Sequence, residues 1–131
     1  MAFYLDTSAV VKLVAAETET AALTAWIAAE QNDFVSCDLL RTELFRTVRR
    51  SSPDSVTRAR SVVDSITILA VPSSTFERAG ELAPPTLRSL DAIHLATALE
   101  LGDDLDGLVT YDERLAAVAA SYGITVIAPS S

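Results

Sequence analysis

Residues 2–9 read Ala-Phe-Tyr-Leu-Asp-Thr-Ser-Ala, and this stretch decides the fold. Four apolar residues predict a short buried strand, and the helical pattern that follows begins directly after Asp6. In open α/β sheets, ligands bind in the crevice beyond the carboxyl ends of the strands. We therefore expect the Asp6 carboxylate to lie in such a crevice.

The same arrangement recurs near the end of the chain. Residues 108–111, Leu-Val-Thr-Tyr, predict a second buried strand, and Asp112 follows it immediately. Glu113 then opens another helical pattern. A second carboxylate is thus predicted at the same edge of the sheet.

Strand-like and helical patterns alternate along the whole chain, which predicts a mostly parallel sheet covered by helices on both faces. We expect a three-layer α/β/α fold with a central sheet of four to five strands. The loop 102–107 is acid-rich and reads as a polar turn rather than a calcium loop. Asp38 is predicted to N-cap a helix, and Gly123 to end one. The predicted strands are 2–5, 34–37, 66–71, 108–111 and 124–127, and the predicted helices are 8–16, 18–30, 39–50, 54–65, 74–82, 90–101 and 113–122.

Length and composition fit a single domain. With 131 residues, of which 50% are hydrophobic, the chain buries roughly two-thirds of its unfolded surface. No apolar run approaches the ~20 residues that span a bilayer, and no signal-peptide pattern precedes the first strand. We expect one cytoplasmic domain over 1–131 with no membrane partner. Cys37, the one cysteine, is predicted to be a buried strand thiol.

The charge of the chain is unevenly distributed. A formal net charge of −8 argues against nucleic-acid binding, which depends largely on Lys and Arg. Six of the ten basic residues, however, fall within 41–60, where Glu43 and Asp54 are the only acids. This basic segment is either a solvated helix face or a contact for phosphates or a partner.

Two further carboxylates lie on predicted helices. Glu43 shares a helix face with Leu39 and Leu40, where an unpaired charge is costly. It either belongs to a functional site or forms a salt bridge with Arg46 at the edge of that face. Asp91 is either a first-turn acid that favours the helix dipole or a ligand that points with the core-facing residues.

Three other polar residues accompany these acids. His94, the only histidine, lies three residues from Asp91 and is expected on the helix surface or in support of the acids rather than as a base or ligand. Ser8 and Thr110 are close in sequence to Asp6 and Asp112. Their hydroxyls are expected to hydrogen-bond the carboxylates or a metal-bound water, or to mark a helix start and a strand end.

Taken in this order, four motifs resemble the PIN-domain family, and more narrowly the VapC-type toxins of bacterial toxin–antitoxin pairs. The similarity covers nearly the whole chain. The motifs are Tyr4-Leu5-Asp6-Thr7-Ser8-Ala9, Leu39-Leu40-Arg41-Thr42-Glu43-Leu44, Leu90-Asp91-Ala92-Ile93-His94-Leu95-Ala96-Thr97-Ala98 and Val109-Thr110-Tyr111-Asp112-Glu113-Arg114-Leu115.

The resemblance implies a metal-dependent endoribonuclease whose acidic quartet is Asp6, Glu43, Asp91 and Asp112. It also implies an RNA substrate, a small antitoxin partner and a homodimer. Oxygen-only ligands favour Mg²⁺ or Mn²⁺, which can activate water and stabilise charge on a phosphodiester. The alternative of a different class is a PIN-like module that binds RNA or antitoxin without cutting. An aspartyl phosphatase is disfavoured because Ser8 stands where that chemistry needs a second acid.

Overall fold

The computed structural model describes residues 1–130 and contains one sheet of five strands, all parallel, in the order β3-β2-β1-β4-β5. This confirms the predicted α/β class and sheet. The strands are β1 (Ala2–Leu5), β2 (Asp33–Cys37), β3 (Thr67–Leu69), β4 (Leu105–Val109) and β5 (Val126–Ile127).

Seven α-helices connect or flank these strands in the described part of the chain, and each corresponds to a predicted helix. Within residues 1–130, none of them is long and apolar enough to cross a membrane. The helices are α1 (Thr7–Val14), α2 (Thr20–Ala29), α3 (Leu39–Ser51), α4 (Val56–Asp64), α5 (Ser73–Glu81), α6 (Ser89–Glu100) and α7 (Glu113–Ser121).

The centre of the sheet is β1, and the strand order reverses there. On one side of β1 lie β2 and then β3, and on the other side lie β4 and then β5. Such a reversal opens a crevice at the carboxyl ends of the strands. Asp6 directly follows β1, and its N–H extends the ladder by donating to the carbonyl of Val109 at 3.2 Å. The reversal therefore places Asp6 at the carboxyl end of the central strand, between its two neighbouring strands.

Alternation along β1 divides the core into two layers. Phe3 and Leu5 pack against residues of α1, α3 and α4, whereas Tyr4 packs on the opposite face against α6 and α7. Side chains of a strand alternate between its two faces. Because both faces of β1 are buried, all four of its residues are apolar in the sequence. The three predicted layers are present.

Two local predictions are wrong. The segment 102–107 is a turn only over Gly102–Asp104, and the remaining residues begin β4. Asp38 makes no capping hydrogen bond with its side chain, because its backbone is helical (φ −56°, ψ −27°) rather than extended. Its carboxylate instead pairs with Arg41 at 3.5 Å. Gly123 ends α7 as predicted, with a φ of +80°.

Gly107 fits a close approach between β4 and β5, which leads to a stability prediction. A Cβ at this position would lie 2.8 Å from Ile127 Cδ1 and 3.0 Å from the carbonyl oxygen of Thr125. Since the second neighbour is backbone, Gly107→Ala should lower the free energy of unfolding by about 1–3 kcal/mol. Chemical denaturation would measure this loss.

Gly80, in α5, is the matched control because nothing lies within 4 Å of its Cβ position. Gly80→Ala should be neutral or stabilise the protein by up to ~1 kcal/mol. Equal effects of the two substitutions would contradict a steric role for Gly107.

Candidate active site

Asp6 is the most buried acid of the site, with 3% of its surface exposed. It N-caps α1, where its Oδ1 accepts a hydrogen bond from the N–H of Ala9 at 3.1 Å. The hydroxyl of Ser8 donates to the same oxygen at 2.7 Å, and the hydroxyl of Thr110 donates to Oδ2 at 2.6 Å. Ser8 bonds its neighbour Asp6, as one of its two predicted roles required, whereas Thr110 bonds the distant Asp6 and accepts from the backbone N–H of its neighbour Asp112.

Burial raises the pKa of Asp6, because the charged form loses the solvation of water. The hydrogen bonds from Thr110, Ser8 and Ala9 oppose this shift without cancelling it. An ionised Asp6 is therefore held at a cost in folding free energy. Binding a cation would offset that cost.

Asp112 caps α7 as Asp6 caps α1, but β4 ends at Val109 rather than at the predicted Tyr111, so Thr110 and Tyr111 separate Asp112 from the strand. Its Oδ1 N-caps α7 by accepting from the N–H groups of Arg114 (2.9 Å) and Leu115 (3.0 Å). Its Oδ2 accepts from the guanidinium of Arg88 at 2.6 Å. One oxygen of this carboxylate thus fixes the start of a helix, while the other pairs with Arg88.

Arg88 joins two of the predicted site acids. Its Nη2 lies 2.9 Å from Asp91 Oδ2 and 2.6 Å from Asp112 Oδ2, and its Nε also donates to Asp91 Oδ2 at 2.9 Å. A single nitrogen therefore contacts one oxygen of each carboxylate. Sequence reasoning missed Arg88, although its position three residues before Asp91 at a helix start is a spacing that favours an ion pair.

Glu43 pairs with His94 rather than with Arg46. The His94 Nε2–H donates to Glu43 Oε1 at 2.6 Å, and the hydroxyl of Thr7 donates to the same oxygen at 2.8 Å. Burial by itself raises the pKa of Glu43, but the hydrogen bond and charge of His94, with Thr7 and Arg88, outweigh it and lower that pKa. Glu43 is therefore ionised at neutral pH.

His94 is not on the helix surface, and that alternative is wrong. Its side chain is buried at the centre of the molecule, where Nδ1 lies 2.7 Å from the Tyr4 hydroxyl and 3.8 Å from Cys37 Sγ. Cys37 is fully buried, as predicted for a strand thiol. Burial lowers the pKa of His94, but Cys37 and Glu43 outweigh it and raise that pKa to about 10. An imidazolium thus supports the Glu43 carboxylate.

The four predicted acids differ in exposure. Asp6 is the most buried, with 3% of its surface exposed, while the side chains of Asp91, Asp112 and Glu43 are 14%, 22% and 22% exposed. Within residues 1–130, no three His, Cys, Asp or Glu side chains are close enough together to hold a metal ion. The guanidinium of Arg88 is the cation that two of these acids share.

The donor set nevertheless fits a hard divalent cation. All four candidate ligands are carboxylates, the ligand type that Mg²⁺ and Mn²⁺ prefer. The Oδ2 atoms of Asp91 and Asp112 already contact one cationic nitrogen. These two carboxylates are thus oriented toward a shared positive charge.

This fold, with acids at the reversal point of a parallel sheet, defines a class of protein that comparison with known proteins identifies. The model of the PIN domain family matches residues 3–121, so the chain belongs to the PIN domain family. A curated relative, Ribonuclease VapC46 of Mycobacterium tuberculosis, is 41% identical over 129 residues and covers 98% of both chains. The family predicted from the sequence is confirmed.

Solved structures confirm the fold. The crystal structure of M. tuberculosis VapC20, described as a sarcin–ricin loop cleaving toxin, aligns with a TM-score of 0.77 at 16% identity, over 97% of this chain and 99% of that one. A toxin–antitoxin complex from Klebsiella pneumoniae aligns with a TM-score of 0.69 at 24% identity, over 98% of each chain. Enzymes of this family are generally dependent on divalent metals.

Proposed function

We propose that this protein is an endoribonuclease, the toxin of a toxin–antitoxin pair, which hydrolyses RNA phosphodiesters with Mg²⁺ or Mn²⁺. The observation that carries the proposal is the pair Asp91 and Asp112, whose carboxylates both contact the Arg88 guanidinium and are therefore close enough to share one positive charge. Extensive identity to a VapC ribonuclease supports the reaction class.

The metal ligands in this proposal are Asp6, Asp91 and Asp112, with Asp6 as the central one. Glu43 either binds the ion as a fourth ligand or holds the attacking water, for which its ionised state is suited. When bound, the ion supplies a Lewis acid that lowers the pKa of water and stabilises charge on phosphate oxygens. Ser8 and Thr110 fix the Asp6 carboxylate through their hydrogen bonds, as groups behind metal ligands commonly do.

The attacking water forms the new P–O bond while the bond to the leaving oxygen of the RNA breaks. The buried Asp6, with both oxygens held by donors, cannot rotate away during this step. The ionised Glu43 is positioned by His94 and Thr7 to accept a hydrogen bond from water. These residues provide orientation, which is a large part of catalysis of phosphoryl transfer.

A basic cluster on α3 supports an RNA substrate. Arg46, Arg49 and Arg50 line one shallow surface depression. Within residues 1–130 none of the three has an ion-pair partner, so their charges are available to phosphates. The acidic remainder of the chain makes this cluster the basic surface best suited to RNA.

Two protein partners complete the proposal. A small antitoxin is supported by the likeness to a toxin–antitoxin complex, and a homodimer is consistent with the exposed apolar side chains of Phe76 and Leu90 on α5 and α6. Exposed large apolar side chains on neighbouring helices are typical of interaction surfaces.

Cleavage of a mixed pool of cellular RNA by the purified protein tests the proposed function. Discrete fragments should form with Mn²⁺ or Mg²⁺ and disappear when EDTA is added. Retention of RNA without any fragments, over a pool that includes transfer, ribosomal and messenger RNA, would instead favour the binding module that does not cut.

The double substitution Arg49→Gln/Arg50→Gln should weaken RNA binding because it removes two phosphate-binding charges. We expect about a tenfold or greater loss of affinity at low salt and a smaller salt dependence. Fluorescence anisotropy with a labelled RNA at several salt concentrations measures both. Arg78→Gln, which removes a charge on α5 that pairs with Glu100, is the control, and equal affinity of all three proteins would exclude the basic cluster.

A further inference from the structure

Arg88 occupies an unusual position for a surface arginine. It lies at the N-terminus of α6, and 62% of its side chain is exposed, yet its guanidinium contacts two of the proposed metal ligands. No other basic side chain within residues 1–130 pairs with either of these acids.

A divalent ion and the Arg88 guanidinium cannot both hold Oδ2 of Asp91 and Oδ2 of Asp112 in the observed way. The limiting oxygen is Oδ2 of Asp112, since Oδ1 of that residue is occupied by the N–H groups that begin α7. An ion between the carboxylates would also repel the guanidinium at short range. The arginine must therefore give up at least part of this pair of contacts when an ion binds.

The released guanidinium would remain at the mouth of the crevice. Its side chain is mostly exposed, so movement breaks no packing in the core. A phosphodiester bound at the site is the nearest new anion, and its oxygens suit the planar fork of arginine. The same residue thus has one anionic partner before the ion binds and another afterwards.

We propose that Arg88 exchanges partners: it is the counter-ion of Asp91 and Asp112 before a divalent ion binds, and a phosphate-binding catalytic residue in the loaded enzyme. The phosphate-binding role of Arg88 rests on the proposed function. Its role as a counter-ion concerns only the affinity of the protein for metal.

Two measurements on Arg88→Gln test the exchange. The first is the dissociation constant for Mn²⁺ without RNA, obtained by measuring free Mn²⁺ with electron paramagnetic resonance. We expect Arg88→Gln to bind Mn²⁺ about three- to tenfold more tightly than the unchanged protein, because the competing ion pairs are gone. Single-turnover cleavage at saturating Mn²⁺ should be slower by on the order of 10²-fold, since a donor to the reacting phosphate is lost.

Arg78→Gln is the matched control, because it removes the same charge from an exposed pair on α5. It should change both quantities less than about twofold. Unchanged or weaker Mn²⁺ binding by Arg88→Gln would overturn the proposal, and so would cleavage at the rate of the unchanged protein.

The exchange of partners by Arg88 and the proposed function can be disproved separately. If the unchanged protein cuts RNA with metal and Arg88→Gln behaves identically, the exchange is wrong and the proposed function stands. If the unchanged protein does not cut any RNA, the proposed function fails and the catalytic half of the exchange fails with it. The Mn²⁺ affinities then decide the counter-ion half alone.

Discussion

Asp6→Asn is expected to abolish metal-dependent cleavage while the fold survives. Asparagine is as good an N-cap as aspartate, so its oxygen can still accept from the N–H of Ala9 and the hydroxyl of Ser8. The substitution replaces the charged carboxylate, which is the central metal ligand of the proposed site, with a neutral amide. Since such an ion stabilises the transition state by several kcal/mol, the rate should fall by on the order of 10³-fold or more.

The same substitution should stabilise the protein prepared without metal. Because burial raises the pKa of Asp6 above its ordinary 3.8, its ionised form costs folding free energy at neutral pH. That cost is absent below about pH 3.8, where Asp6 is protonated in both the folded and the unfolded states. The melting temperature of Asp6→Asn should therefore exceed that of the unchanged protein at pH 7, and the difference should shrink in acid.

Thermal denaturation with and without Mn²⁺ separates these effects. Mn²⁺ should raise the melting temperature of the unchanged protein by mass action and leave that of Asp6→Asn nearly constant. Asp103→Asn, in the exposed turn before β4, is the control and should behave like the unchanged protein. A cleavage rate retained by Asp6→Asn would remove this residue from the mechanism.

His94→Gln is expected to lower both activity and stability, because it removes the hydrogen bond that holds Glu43. Loss of the buried imidazole leaves the hydroxyl of Thr7 as the hydrogen-bond donor to Glu43 Oε1. It also removes the hydrogen-bond partner of the Tyr4 hydroxyl. We expect kcat to fall about 10–100-fold with little change in KM, as for residues that orient a ligand. The free energy of unfolding should fall by about 1–3 kcal/mol.

The pH dependence of this destabilisation is a sharper test. The folded-state pKa of His94 is about 10, against an ordinary value of 6.5. The groups that face its ring are Tyr4, Cys37, Glu43 and Thr7. The stabilisation is thus complete below pH 6.5 and is lost as pH rises through about 10. The loss of stability in His94→Gln should be larger at about pH 6 than at about pH 9.5.

Tyr4→Phe distinguishes positioning from packing. It removes the hydroxyl at Nδ1 but leaves the bond between His94 and Glu43 in place. We expect it to cost about 1 kcal/mol of stability and to change kcat little. An equal loss of kcat in both variants, or a destabilisation by His94→Gln that is the same at all pH values, would contradict the role given to His94.

Much of the fold could be predicted because its signals are local. The run Ala2–Leu5 is buried on both faces, so its apolar pattern needs no partner to be recognised. Asp6 and Asp112 follow strands and start helices, and both cap the helix that they precede. Asp38 occupies a similar place, yet its backbone is helical and its side chain makes no capping hydrogen bond. Sequence position did not distinguish these cases.

The sequence by itself determined the alternation of strands and helices, the edge of the sheet at which acids gather and the family. Only the tertiary structure decided which side chains meet. Asp6 and Thr110 are 104 residues apart, Glu43 and His94 are 51 apart, and Arg88 and Asp112 are 24 apart. Periodicity and capping act over a few residues, whereas these contacts depend on the strand order around β1 and on the packing of α3 and α6 against the sheet.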